Sequence, residues 1–330
     1  MTDYTPPQAF CKYCEGPDKL TRRFPRYHFP VSDSSAPTRN RPGWIRVRRL
    51  DLATEEQVGT TLGGLATVCQ SANCPNIGDC WGRGTATFMV MGDKCTRACR
   101  FCNVDFGKPE PLNPHEPAQL AQSVRELGLN FAVVTCVDRD DLTDSGSQHW
   151  VDCIDAVHAV GEGVKIEVLT GDFKGSEADI ARVVRSAPEV FAHNVETIPR
   201  LQGRVRHKAR WETSLRVLKL AKKIAADEGI PLVTKSGIML GLGESFFEVQ
   251  EAMHLLLDEG VEILTIGQYL KPFDRPDKLA VERFVEPQEF ERLQEYGLSI
   301  GFAGIASGPL VRSSYRAETL YEQAMARKAG

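Results

Sequence analysis

From Thr85 onward the chain alternates between two hydrophobic rhythms. Short apolar runs rich in Val, Ile and Thr read as buried strands. Each is followed by a stretch with apolar residues three and four apart, often closed by Gly, which reads as an amphipathic helix. The pairs are TATFMVMG with PAQLAQSVRELG, FAVVTC with SQHWVDCIDAVHAVGE, and KIEVLTG with EADIARVVRSA. They continue as FAHNVET with ETSLRVLKLAKKIAADEG, LVTKSGIMLGLG with FFEVQEAMHLLLDEG, and EILTIGQYL with PQEFERLQEYGLSIG. Six β-then-α units predict an α/β fold with a parallel sheet and right-handed crossovers. Doubly wound sheets and barrels both fit. No G-x-G-x-x-G follows the first strand, which argues against a dinucleotide-binding sheet and for a whole or partial barrel. The site of a barrel lies at the C-terminal ends of its strands.

The rhythm is absent before Thr85. Residues 1–42 hold seven of the nineteen prolines and read as an extended arm. Between Lys19 and Arg49 there are nine Lys and Arg against one acid, Asp33; such a run is either a solvated linker or a dock for an acidic partner. The whole chain carries 40 Lys and Arg against 44 Asp and Glu, a balance unsuited to general nucleic-acid binding. No apolar run has the length of a membrane span. The opening MTDYTPPQAF resembles neither a secretion signal nor a transit peptide, so a cytoplasmic location is expected. Thiols stay reduced there, and clustered cysteines read as metal ligands rather than disulfides.

Six of the ten cysteines fall in two groups of three. Cys69, Cys74 and Cys80 are spaced C-x4-C-x5-C, and Cys95, Cys99 and Cys102 are spaced C-x3-C-x2-C. The second group follows the first strand at the expected barrel mouth, and three thiolates within eight residues must fold around one small object. A closed zinc or iron–sulfur site takes four ligands. Three cysteines therefore fit either a zinc knuckle with a distant fourth ligand or a four-iron cluster with one iron left open to a small molecule.

The second group, with Phe101 before its last cysteine, resembles the signature of the radical S-adenosylmethionine (radical SAM) superfamily. That resemblance implies a partial (β/α)6 TIM-like barrel, in agreement with the units counted above. It implies a cluster on Cys95, Cys99 and Cys102 whose open iron chelates S-adenosylmethionine, which is then cleaved to a 5′-deoxyadenosyl radical. HNVET, with Glu196 towards ribose hydroxyls, and GIMLGLGE, with Gly241, look like the superfamily's cofactor contacts; strand-end glycines also occur for packing alone.

CQSANCPNIGDC just upstream, together with VTCVDRDDL, TKSGIMLGLGE, GQYL and the late GPLVRSSYRAE, closely resembles the lipoyl synthase family. The resemblance implies an auxiliary [4Fe-4S] cluster on Cys69, Cys74, Cys80 and a serine. That serine is Ser314, with Ser313 the second choice; alone, RSSY reads as a turn or a helix N-cap. It further implies two SAM cleavages, with sulfur inserted at C6 and C8 of a protein-bound octanoyl chain and the auxiliary cluster as donor. The partners implied are an octanoylated lipoyl carrier domain or glycine-cleavage H protein and a low-potential electron donor, with no nucleic acid and no membrane.

The expected layout is an arm over 1–42, an auxiliary-cluster extension over 43–84, the barrel over 85–301, and a C-terminal segment over 302–330 carrying the serine. Competing readings are a methylthiotransferase, disfavoured because only fourteen residues separate the triplets, and a cysteine-rich electron-transfer or zinc module, which leaves the βα repeat unexplained. Cys11 and Cys14 depart from the family pattern; a zinc clip with His28 or a redox pair is conceivable for them. Cys136 and Cys153 read as small buried apolar residues. The acids and arginine of VDRDDL sit at the mouth without an assigned role, and the histidines read as satisfied or surface residues.

Overall fold

A computed structural model describes residues 41–45, 67, 76, 87–272 and 275–329. The sheet has seven parallel strands: β1 (Thr87–Val90), β4 (Phe131–Cys136), β5 (Lys165–Leu169), β6 (Val190–Ala192), β7 (Val233–Leu240), β8 (Ile263–Gln268) and β9 (Gly304–Gly308). Two short strands, β2 (Lys94–Cys95) and β3 (Asp105–Phe106), pair separately. The seven strands stand in strict chain order, each bonded to its sequence neighbour. Such an order has no switch point, so the sheet is wound one way, as in a barrel, and a doubly wound arrangement is excluded. Among the described residues β1 and β9 do not pair with each other, so the barrel is partial.

The helices are α1 (Glu116–Glu126), α2 (Ser147–His158), α3 (Glu177–Arg185), the single turn α4 (Gln202–Val205), α5 (Trp211–Glu228), α6 (Phe246–Asp258), α7 (Pro287–Ile300) and α8 (Ala317–Ala329). Their starts carry local signals: Pro near the N-termini of α1 and α7, and a reciprocal Ser245–Glu248 capping box on α6. One face of the sheet packs on α1 to α7. There Phe88, Val134, Ile166 and Phe191 meet Val124, Trp150, Ile154 and Val217, while Leu264 and Ile266 meet Met253 and Phe290. Each such side chain contributes roughly 1.5–3 kcal/mol by leaving water.

The other face is the barrel interior. At its lower end Phe131, Val133, Val190, Val233 and Ile263 pack on Ala317, Leu320 and Ala324, so α8 closes the base. Further up, Lys235 Nζ bonds both oxygens of Glu167 at 2.7 and 2.8 Å, a buried pair that satisfies both charges. Above it the wall becomes small: the registers align Gly237 with Thr265 and Ala306, and Met239 with Gly267 and Gly308. Large side chains fill the bottom, and towards the top the glycines give place to Asn194 and the Val311 carbonyl.

All six predicted strand–helix pairs are present. The structure adds β9 and α8, both within the segment 302–330, and the short elements β2, β3 and α4. No helix among the described residues is long and apolar enough to cross a membrane.

Candidate active site

Past Val90 the chain turns through Met91 and Gly92, both at positive φ (69° and 96°). Met91 has no glycine freedom, so its neighbours must hold it in place. Its N–H donates to Glu116 Oε2 at 2.8 Å, its carbonyl accepts from Arg139 Nη1 at 3.2 Å, and His149 Nε2 lies 2.6 Å from the same Glu116 oxygen. From this pinned turn starts the segment with Cys95, Cys99 and Cys102. Pairing of β2 with β3 curls it round the three thiols. Backbone bonds lash it to three other loops: Thr96 N–H to the Asp138 carbonyl (3.0 Å), Arg100 N–H to the Val205 carbonyl (3.1 Å), and Leu279 N–H to the Arg100 carbonyl (3.0 Å).

Arg97, between the first two cysteines, is buried. It donates through Nε and Nη2 to Asp140 at 2.9 and 2.7 Å, and through Nη1 and Nη2 to Asp172 at 2.6 and 2.7 Å. Burial alone would raise Asp172, yet the hydrogen bonds and charge of Arg97 take it down to about 2. VDRDDL thus orders the cysteine loop: Asp140 grips Arg97, and Arg139 is held by Asp141 at 2.9 and 2.8 Å. Asp138 places a carboxyl oxygen 3.9 Å from Cys95 Sγ. The sequence offered one signal for Arg97, its place inside the cysteine motif; Asp172 had none.

The thiols suit an iron–sulfur cluster. Cys95 Sγ accepts the N–H groups of Arg97 (3.4 Å) and Asp138 (3.3 Å), and Cys102 Sγ accepts that of Val104 (3.4 Å). Such bonds favour thiolate and tune cluster potential. Burial pushes all three thiols up to about 11, so each sheds its proton when metal binds. Among the described residues no three His, Cys, Asp or Glu converge as they would on one metal ion.

Across the mouth, Glu196 stands at φ 68°, its N–H on the Gly237 carbonyl and its carbonyl on Met239 N–H, both at 2.9 Å. Burial pushes its carboxyl up, against the pull of Arg206, Asn194 and Arg312. Gly237 gives way to Asn194, whose Oδ1 would lie 2.8 Å from a Cβ there; that oxygen is buried without a hydrogen bond. An orphaned acceptor beside a wall glycine suits a ligand with N–H groups. Gly241 (φ 97°) is different: Gln268 and the Arg283 carbonyl fill the space beside it, and its own N–H donates to Glu244 at 2.6 Å. It shapes the turn after β7.

RSSY forms a turn closed by Tyr315 N–H on the Arg312 carbonyl at 2.9 Å, and neither Ser313 nor Ser314 carries a side-chain hydrogen bond to another described residue. The chain before it folds back into the mouth, with the Val311 carbonyl occupying the space a side chain on Gly267 would need. Asn76, from the first cysteine group, is buried and donates through Nδ2 to the Leu310 carbonyl at 2.6 Å. Cys69, Cys74 and Cys80 themselves, like Cys11, Cys14 and His28, lie outside the described residues. Cys153 is buried among apolar residues of α2 and Cys136 packs against the same core. His149, His193 and His254 each have a partner, and His207 is exposed.

Residues 89–256 match the model of the radical SAM superfamily. The chain is 49% identical over 288 residues to lipoyl synthase of Pyrobaculum arsenaticum, spanning 86% of this chain and 96% of that one. It is 46% identical over 325 residues to lipoyl synthase of Coxiella burnetii, spanning 96% and 97%. The chain belongs to the lipoyl synthase family. It is a radical SAM enzyme, and S-adenosylmethionine and four-iron clusters are the cofactors of lipoyl synthases. Membership implies a lipoyl-carrier protein as substrate. The methylthiotransferase and electron-transfer readings fall with this assignment. The crystal structure of methylornithine synthase, 13% identical with a TM-score of 0.53 over 79% of this chain and 76% of that one, shares the fold.

Proposed function

We propose that the enzyme inserts sulfur at C6 and C8 of an octanoyl chain carried on a lipoyl carrier domain or H protein, in the cytoplasm, with an auxiliary four-iron cluster as sulfur donor. Cys95, Cys99 and Cys102 would hold the cluster that cleaves S-adenosylmethionine; Cys69, Cys74, Cys80 and Ser314 would hold the other. When bound, the first cluster and its cofactor supply a radical able to break unactivated C–H bonds, which side-chain acids and bases cannot do.

The single observation that carries this reading is the bond from Asn76 to the Leu310 carbonyl. It ties the segment between Cys74 and Cys80 to the chain just before Ser313 and Ser314, residues more than two hundred positions away. The chain's own part is binding, orientation and exclusion of water. Glu196 and Asn194 would receive the cofactor's hydroxyl and amino groups, and Gly241 sets the turn that follows β7. The thiols lose their protons on loading. The ties from Asp138, Val205 and Leu279 fix the cysteine loop at the mouth.

Anaerobic reconstitution followed by iron and sulfide analysis tests the reading: about eight irons per chain are expected, four for each cluster. The loaded enzyme, given S-adenosylmethionine, a reductant and an octanoylated carrier, should release 5′-deoxyadenosine and return a carrier bearing two sulfurs. Full iron loading with 5′-deoxyadenosine but no sulfur on the carrier would sink it.

A further inference from the structure

We infer that Arg206 is the buried counter-charge of the cluster on Cys95, Cys99 and Cys102, and that it raises that cluster's reduction potential. The inference rests on the proposed assignment of those three cysteines.

Arg206 is 7% exposed. Its Nη1 donates to the Asn194 carbonyl at 2.8 Å, and its Nε has no hydrogen-bond partner. No carboxylate among the described residues forms an ion pair with it, whereas Arg97, equally buried, is paired with three, Asp138, Asp140 and Asp172. A guanidinium removed from water without an anion is costly, and native structures keep such a charge only where something compensates it. The missing compensation is an anion at the mouth.

Position says which anion. Arg206 follows Val205, whose carbonyl accepts the N–H of Arg100, and Arg100 follows Cys99. The cation is thereby strapped beside the middle thiol of the motif. The groups it bears on are Cys99, Asp138, Glu196 and His193. His193 is bonded to the Thr170 carbonyl and to Ser214, Asp138 is paired with Arg97 at 3.7 Å, and Glu196 forms no ion pair with Arg206 among the described residues. None of these is an anion paired with Arg206. Three thiolates bound to iron would supply one.

The consequence is electrostatic. Reduction adds one electron from a low-potential donor to the iron centre, with no bond made or broken and no proton required. The reduced cluster is more negative by one charge. A fixed cation in a poorly polarisable setting stabilises that form more than the oxidised one, and so makes the electron easier to accept.

The test is a redox titration of the anaerobically reconstituted full-length enzyme against dithionite without S-adenosylmethionine, read by electron paramagnetic resonance. The chain carries Cys69→Ala, Cys74→Ala and Cys80→Ala so that one cluster remains. Arg206→Gln should take up the same iron as the parent and shift the midpoint to lower potential; Arg206→Lys, which keeps the charge, should return most of the shift. If Arg206→Gln fails to load while Arg206→Lys loads at the parent potential, the counter-charge is again supported. An unchanged midpoint in fully loaded Arg206→Gln overturns the inference, even if affinity for S-adenosylmethionine falls. Failure of the parent itself to bind about four irons would instead overturn the assignment of the three cysteines, and this inference with it.

Discussion

His193 shows how one buried side chain couples the site to pH. Its Nδ1 lies 3.0 Å from the Thr170 carbonyl and must donate, which leaves Nε2 to accept from Ser214 Oγ at 2.9 Å. Burial, helped by Arg206, lowers its pKa from 6.5 to about 4. Between those values the unfolded chain binds a proton that the folded chain refuses, so stability falls as pH drops below 6.5. From pH 7 to pH 5 the loss should be on the order of 2 kcal/mol, measured by denaturant unfolding of the apo chain, and His193→Gln should flatten the slope. Ser314 makes a different demand. A serine oxygen is a harder, less usual partner for iron than thiolate. Ser314→Cys should keep iron content near wild type while sulfur transfer to the octanoyl carrier drops at least tenfold; unchanged turnover refutes a role for a ligand that lets go. At this scale the sequence was only partly legible. Cysteines advertise themselves by spacing, but Asp172 and Arg206 matter through contacts made across the barrel, and no local pattern marks them.

At the scale of elements, β8 and β9 make the mouth what it is. Gly267 lets the chain after β9 fold back against β8, because any Cβ would run into the Val311 carbonyl. Gly267→Ala must push out backbone rather than a pliable side chain, at a cost of roughly 1–3 kcal/mol. The displaced segment carries Arg312 to Tyr315, so iron in the auxiliary group should fall while 5′-deoxyadenosine formation persists. Separate iron analysis and cleavage assays would check this. Strands β1 and β4 to β8 were readable because each is an apolar run followed by a 3.6-residue repeat. Strand β9, with the sequence GIASG, has no apolar run and only one bulky branched side chain, Ile305, and its pairing with β8 supplies what its propensity lacks. Helix α8 was hidden for a related reason: only a thin stripe of Ala317, Leu320 and Ala324 is buried.

For the whole molecule, the basic run from Lys19 to Arg49 remains to be accounted for. Most of it lies outside the described residues, and we propose that it docks the carrier. Reversing Arg46, Arg48 and Arg49 to Glu should raise the KM for octanoylated carrier severalfold, with a shallower salt dependence, and leave cofactor cleavage with a short octanoyl-lysine peptide unchanged. Equal loss with the peptide would count against docking.

The ties of the two cysteine groups also differ in when they become available. Among the described residues, the backbone ties of the Cys95–Cys102 loop reach only as far along the chain as Leu279, so a nascent polypeptide has those partners before β9 exists. The bond from Asn76 to Leu310 spans 234 residues and must wait until Leu310 itself has been made. Synthesis thus imposes an order: the loop of Cys95 to Cys102 can be framed before the tie that holds Asn76 to Leu310 can form.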